Sequence, residues 1–346
     1  MKTSGWIWQD VPAGLEDKLL TLAQKEVFQL LRQGMTHYQI AAKRGTNHRN
    51  VTEMATRIRE RLTAIGYDHK TSLALVPDTD ESFEQRSASK KIRHMVIPDC
   101  QVKPGEPYDH LAWAGQYAVQ MKPDVIVCIG DFWDMPSLSQ YDIGRKSFEG
   151  KRYIVDIEAG IRAMESFLEP IKAETAKLQG RWNPRMVFTL GNHEQRIITA
   201  IDKDAKLEGL MSLHDMQIAQ MGWEVYPFLE PVVIDGIAYC HYFSSGTMGR
   251  PVSSASALVN KKMMSCVMGH VQDKDIAYRR RADGKSITGI FAGIFYQHDE
   301  NYLTPQTNRS WRGVWILHDV QDGAFDEMPV SLSYLQDRFG KREAAA

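Results

Sequence analysis

The stretch VIVCIGDFWD, residues 125–134, decides how the rest of the chain is read. Five apolar residues run from Val125 to Ile129 and stop at Gly130, Asp131 and, three residues on, Asp134. A short apolar run closed by glycine is the pattern of a buried strand, and one that ends in carboxylates delivers them to a loop. The same arrangement occurs four more times, in MVIPDCQ (95–101), MVFTLGNHE (186–194), IAYCH (237–241) and CVMGHVQ (266–272). In open α/β sheets, ligands bind beyond the carboxyl ends of strands, where loops from several strands converge. Five such endings predict one shared site.

Between these runs lie amphipathic segments of helical period at about 109–121, 153–178 and 205–221. A further run, VVI at 232–234, is followed by Asp235-Gly236, and Asp283-Gly284 stands farther on; both dipeptides are hairpin-turn signals. The alternation predicts an α/β body with some antiparallel strands. The length of 346 residues suits about two domains, and 43% hydrophobic with 25% charged residues is an ordinary globular composition. No run reaches about 18 apolar residues and the N-terminus has no apolar core behind its Lys, so the expectation is a cytoplasmic chain with no membrane partner. Cys100, Cys128, Cys240 and Cys266 show no C-x-x-C spacing and read as reduced core thiols.

A net charge of −1 excludes a general polycation, but the charge is uneven: residues 1–70 hold eleven Lys and Arg against seven Asp and Glu. Apolar residues recur at helical spacing over 14–33. Thr36 is placed to cap a second helix through Arg44, Gly45 breaks the chain, and a third helix is expected from about Asn47 to Ala64. Polar, aperiodic residues from Pro77 onward read as a linker. The predicted plan is therefore a helical domain over 1–75, a linker over 76–91, the α/β domain over 92–335 and a tail over 336–346.

The strand-end residues have the chemistry of metal ligands. Asp99 and Asp131 offer carboxylate oxygens, Gln101, Asn192 and Gln272 amide oxygens, and His241 and His270 imidazoles. Such a mixed set suits Mn²⁺, Fe²⁺, Zn²⁺ or Ni²⁺, and a carboxylate can bridge two cations about 4 Å apart.

The series D-x-Q, G-D-x-x-D, G-N-H-E, H, G-H-x-Q, spread over residues 95–272, resembles that of the calcineurin-like metallophosphoesterases, whose usual blocks are D-x-H, G-D-x-x-D, G-N-H-[DE], H and G-H-x-H. The resemblance implies a four-layer α/β/β/α sandwich with two divalent ions. It places Asp99, Gln101, Asp131 and Gln272 at the first ion and Asp131, Asn192, His241 and His270 at the second, with Asp131 as the bridge. It makes His193 the catalytic imidazole and Asp134 its orienting partner. The chemistry implied is in-line attack on phosphorus by a hydroxide bridging the two cations, with His193 as general acid. Gln101 and Gln272 stand where the family has histidine; as neutral oxygen donors they favour harder ions, so Mn²⁺ comes first, with Mg²⁺, Fe²⁺, Zn²⁺ and Ni²⁺ as the other candidates.

In the N-terminal module, Ala41, Gly45 and Val51 sit at the relative positions a helix-turn-helix uses for close helix approach, the turn and packing of the second helix. This resemblance points to DNA, with Lys43, Arg44, Asn47, His48, Arg49, Asn50 and Arg57 as contact residues. A three-helix packing domain with a solvated basic face remains the alternative. Arg196 reads equally as a phosphate contact or a structural ion pair, and Arg279-Arg280-Arg281 as a phosphate grip or a solvated charge run. The expected function is a metal-dependent phosphodiesterase, with DNA cleavage inferred from the fused module; that plan also suggests a bacteriophage protein in a bacterial or infected cell. Two alternatives stay open: a phosphomonoesterase acting on nucleotides or phosphoproteins, and a DNA-binding regulator with a degenerate hydrolase site.

Overall fold

Helix α1 (Leu22–Arg32), α2 (His37–Arg44) and α3 (His48–Ala64) form the described part of the first unit. The computed structural model describes residues 20–33, 35–64, 91–300 and 304–340, and the chain divides into two units, Met1–Ser89 and Lys90–Ala346. The beginning of the expected first helix, all but Lys91 of the linker and the last six residues of the tail lie outside the described residues.

The capping chemistry read from the sequence sets the helix ends. The Thr36 hydroxyl accepts the Gln39 N–H at 3.3 Å while the Gln39 amide oxygen accepts the Thr36 N–H at 2.8 Å, a reciprocal capping box that starts α2. Gly45 ends it in the left-handed conformation, φ 62°, and Asn47 Oδ1 accepts the Asn50 N–H at 2.9 Å at the start of α3. Val27, Phe28, Leu31, Ile40, Ala41, Val51, Ala55, Ile58 and Leu62 fill the core between the helices.

In the second unit, β1 (Ile92–Ile97), β2 (Val125–Cys128), β3 (Arg185–Thr189), β4 (Glu224–Tyr226), β10 (Gly313–Gln321) and β11 (Ala324–Ser331) make a six-stranded sheet in the order β11-β10-β1-β2-β3-β4. Strands β1 to β4 are parallel, and β10 and β11 add antiparallel. A five-stranded sheet, β5-β6-β7-β9-β8, is built from β5 (Val232–Ile234), β6 (Ile237–Cys240), β7 (Ser265–Met268), β8 (Lys274–Arg280) and β9 (Ser286–Ala292). The body is thus mixed α/β, completed by α4 (Asp109–Met121), α5 (Tyr153–Lys177), α6 (Arg196–Lys203), α7 (Ala255–Lys262) and α8 (Leu332–Phe339).

The apolar runs are continuous because both faces of the strands are buried. On β2, Ile126 and Cys128 face a core shared with Leu111, Ala114, Phe167, Leu168 and Leu335 of α4, α5 and α8. Val125 and Val127 face the opposite way, into a core shared with Ile237, Tyr239, Val267 and Ile290 of the other sheet. The outer side of that second sheet packs Ala238, Cys240, Cys266 and Met268 against Ala255 and Leu258 of α7. All four cysteines are buried free thiols.

Two expectations are corrected. The helix expected over 205–221 is replaced by two 3₁₀ turns, Ala205–Leu207 and Leu213–Met216. The Asp215 carboxylate accepts the Ser212 N–H at 2.8 Å, and Gln217 turns left-handed at φ 56°, so local side-chain capping competes with a continuous helix. The helix lies earlier, as α6. Nor does the domain end at residue 335: Ser331 accepts the Tyr334 N–H at 3.2 Å and starts α8, which runs to Phe339 because Leu335 and Phe339 pack on the helix-side core. The Asp235-Gly236 turn joins β5 to β6 and the Asp283-Gly284 turn lies between β8 and β9. A third such turn, Asp322-Gly323, joins β10 to β11, and the Gly323 N–H donates to the Asp235 carbonyl at 2.8 Å, tying a hairpin of one sheet to a hairpin of the other.

Candidate metal centre

Asp99, Asp131 and Asn192 follow β1, β2 and β3 of the six-stranded sheet, whereas His241 and His270 follow β6 and β7 of the five-stranded one. The sheets stack so that these strand ends meet. Ligand atoms of Asp131, His241 and His270 all lie within 4.8 Å of one another, a cluster able to hold a metal ion. Asn192 Oδ1 is 2.9 Å from His241 Nε2 and 2.7 Å from His270 Nδ1, and Asp131 Oδ2 is 3.3 Å from His241 Nε2. The other ring nitrogen of His241, Nδ1, donates to the Ile129 carbonyl at 2.9 Å, which orients Nε2 toward the cluster. Both Asp99 oxygens accept the His270 N–H, at 3.2 and 3.1 Å.

The remaining expected ligands, Gln101 and Gln272, line the same cleft of about 1010 Å³ with Asp131, Asn192, His193 and His270. The Gln101 N–H donates to the Asp131 carbonyl at 2.9 Å. Gln101, Asp131 and His270 have φ of 41°, 48° and 65°. Such left-handed backbone costs a non-glycine residue about 1–3 kcal/mol and concentrates at functional sites. Close approach explains two glycines of the motifs: a Cβ on Gly191 would stand 2.2 Å from Asp131 Oδ1, and one on Gly269 would stand 2.2 Å from Asp99 Oδ1.

Burial opposes charge throughout the cluster, and the partners decide the outcome. Burial pushes Asp99 up to about 7, His241 opposing and the Asp131 carboxylate adding to the rise. Asp131 is held well below the usual carboxylate range despite its burial, because the imidazoles of His193 and His241 face it. Burial works against protonation of His241, yet the Asp131 charge and hydrogen bond raise it to about 9. His270 falls to about 4, through burial and then the neighbouring His241.

His193 Nδ1 stands 3.0 Å from Asp134 Oδ1. Burial would depress His193, but the Asp131 charge and the nearby Asp134 carboxylate outweigh it and leave the ring raised. Arg196 Nη1 donates to the Asp134 carbonyl at 2.7 Å, and its Nη2 lies 3.0 Å from His193 Nε2. The guanidinium is thereby part of the site wall.

Three residues of this neighbourhood are given no role by the sequence alone. Glu194 is fully buried, and its carboxylate accepts the backbone N–H groups of Gly191 at 2.8 Å, Asp131 at 2.9 Å and Trp133 at 3.0 Å. It locks the loop after β2 to the loop after β3. Lys103 Nζ lies 4.0 Å from Asp134 Oδ2 and 2.7 Å from Glu300 Oε1, and Glu300 in turn accepts from His298 Nε2 at 2.7 Å. Glu194 stands inside a motif and was there to be read; Lys103 and Glu300 are isolated in sequence and are joined by folding alone.

On the helical unit, Lys43, Asn47, His48, Arg49, Asn50 and Arg57 are exposed, while Arg44 is half-buried and pairs with Glu26 at 2.6 Å. Asn47 is spent on capping, Asn50 Nδ2 donates to Thr46 Oγ1 at 3.1 Å, and His48 stacks on Tyr38 with centroids 4.5 Å apart. Arg279 bonds Asn260 and Arg281 pairs with Asp283 at 3.0 Å. Among the described residues no helix is long and apolar enough to cross a membrane. Comparison with protein-family models finds no match to the chain, and comparison with curated proteins finds none either.

Proposed function

We propose that this chain is a metal-dependent phosphodiesterase of the calcineurin-like type, acting on nucleic acid. The observation that carries the reading is the meeting of five strand-end blocks, from two sheets, around Asp131. The succession of helices, sheet, sheet and helix seen in the packing of the second unit supports the four-layer sandwich. The packing of Ala41 and Val51 across the Gly45 turn supports a helix-turn-helix in the first unit.

The donor set fits divalent ions. Carboxylate, amide and imidazole groups converge, and glycines clear space beside Asp99 and Asp131. Asp99, Gln101, Asp131 and Gln272 would hold one ion, and Asp131, Asn192, His241 and His270 the other, with Mn²⁺ as the first candidate. Bound there, such ions supply Lewis acidity, making water acidic near neutral pH and offsetting charge on phosphoryl oxygens.

The protein's own groups handle the proton. Asp134 Oδ1 stands 3.0 Å from His193 Nδ1; a proton kept on Nδ1 beside that carboxylate would leave Nε2 as the atom that exchanges a proton with the leaving oxygen. In the neutral ring Nε2 accepts from Arg196; for Nε2 to carry a proton, Arg196 Nη2 has to release it. Asp131 and Asp134 raise the ring above its ordinary value despite its burial.

Hydrolysis of bis-p-nitrophenyl phosphate and p-nitrophenyl phosphate with Mn²⁺ or EDTA tests the reading. Metal-dependent turnover with the diester preferred is the expected result. Monoester preference, or turnover untouched by chelation, would overturn it. DNA binding by the full chain is expected to weaken linearly in log–log salt, as phosphate contacts by Lys and Arg require.

A further inference from the structure

One wall of the cleft is formed by residues 139–152, SQYDIGRKSFEGKR, on the path from β2 to α5. Within a chain of net charge −1, this segment holds Arg145, Lys146, Lys151 and Arg152 against Asp142 and Glu149. Asp142 organises the wall. Its carbonyl accepts the Arg145 N–H at 2.9 Å, and its carboxylate accepts the Ser147 hydroxyl at 3.4 Å and lies 3.9 Å from both Arg145 and Lys151. Further turns close behind it, Phe148 N–H to the Arg145 carbonyl at 3.0 Å and Glu149 N–H to the Lys146 carbonyl at 3.2 Å.

Tyr141 stands on this wall with 84% of its surface exposed, and Ile143 and Ile154 are 67% and 56% exposed. A tyrosine lining a cleft with nothing covering its ring offers an aromatic face to whatever enters. Arg145, 64% exposed at its side chain, lines the cleft with it, as do Lys151 and Arg152.

An open ring among guanidinium and ammonium groups is the chemistry that holds single-stranded nucleic acid: any unpaired base stacks on the ring while the cations follow the phosphates. A paired base, stacked on both faces within a duplex, cannot meet Tyr141. The cleft, at about 1010 Å³, has the size of a site that encloses a small ligand, which admits a few nucleotides of one strand. The other two cations that line the cleft are engaged, Lys103 by Glu300 at 2.7 Å and Arg196 by the Asp134 carbonyl at 2.7 Å. We propose that Tyr141, Arg145, Lys151 and Arg152 form a binding track that admits unpaired nucleic acid to the cleft, making single strands rather than duplex the substrate class. The assignment of a track leading to chemistry rests on the phosphodiesterase reading above.

The test uses the full chain and a fluorescent hexathymidylate, which has no major groove for the helical unit to read. Anisotropy is recorded in EDTA so that turnover cannot intervene. Tyr141→Ala is expected to weaken binding about 5- to 150-fold, the range for losing one base stack, and Tyr141→Trp to restore it. Arg145→Ala with Arg152→Ala is expected to flatten the log–log salt slope by about 1.4. Unchanged affinity in Tyr141→Ala, no binding by the unaltered chain, or equal weakening by Tyr141→Ala of a duplex carrying no free end would each overturn the proposal. Turnover of bis-p-nitrophenyl phosphate by the unaltered chain is followed separately: its absence removes the catalytic reading and leaves the strand-binding result standing on its own.

Discussion

The Glu194 carboxylate accepts the Asp131 backbone N–H at 2.9 Å, so the aspartate nearest the centre of the cluster is held from behind by a side chain that never enters the cleft. The same carboxylate bonds Gly191 and Trp133. Replacing it with glutamine turns an acceptor toward the amide groups into a donor and leaves at least one buried N–H without a partner. Glu194→Gln is expected to cost about 1–3 kcal/mol of stability and to weaken Mn²⁺ binding by loosening Asp131. Chemical denaturation and titration calorimetry read the two effects; normal values of both would remove the structural role.

The proposed ligand and proton-carrying roles are distinguished by what their removal loses. Asp131→Ala and Asn192→Ala should abolish metal binding and turnover together. His193→Ala should keep metal stoichiometry while slowing diester turnover by about 10²- to 10⁴-fold, the range for a lost general acid. Elemental analysis beside steady-state kinetics distinguishes the cases, and undiminished turnover in His193→Ala would exclude the imidazole from proton transfer.

Gly269→Ala tests the close approach behind Asp99. The added methyl would fall 2.2 Å from Asp99 Oδ1, far inside contact distance, so the carboxylate must swing away from its bonds with the His270 N–H. Weaker binding of the divalent ion with little change in secondary structure is the expected outcome, followed by calorimetry and circular dichroism. Unaltered affinity would mean that the Asp99 position is not needed by the ion.

His110 gives the fold an acid-sensitive point. Burial lowers it to about 4, only partly offset by the hydrogen bond between its Nδ1 and Gln297, 3.2 Å long. The unfolded chain, with an ordinary value near 6.5, therefore takes up a proton first as pH falls. Stability is complete above about 6.5 and is lost down to about 4, by about 3 kcal/mol in all. Guanidinium unfolding at pH 7.5 and 4.5 should show a steeper loss for the native chain than for His110→Gln; parallel losses would exonerate this residue.

The strands that carry the candidate site were readable because each is buried on both faces, which writes an uninterrupted apolar run closed by glycine or a polar cluster. Others were not, for physical reasons. β8 lies at a sheet edge with Tyr278, Arg279 and Arg280 exposed, and β11, with Pro329 among its residues, shows little apolar alternation. These two are held by ladder bonds to β9 and β10, and pairing between distant segments leaves little local imprint. Similarly, Asp322-Gly323 has the same turn chemistry as Asp235-Gly236, yet its partner hairpin cannot be known before the sheets stack. At the site, residue types and motif order pointed to Asp131, Asn192, His241 and His270, whereas Lys103 and Glu300 become neighbours of Asp134 solely in three dimensions.

The candidate donors come from opposite halves of the stack, the carboxylates with the Gln101 and Asn192 amides from the six-stranded sheet and the imidazoles with the Gln272 amide from the five-stranded one. Any ion they share would act as a rivet through both plates, so occupancy and cohesion of the sandwich become one thermodynamic quantity. Chelation would then register as a lowered melting temperature of the whole second unit, a consequence reaching well past the few side chains that touch the cation.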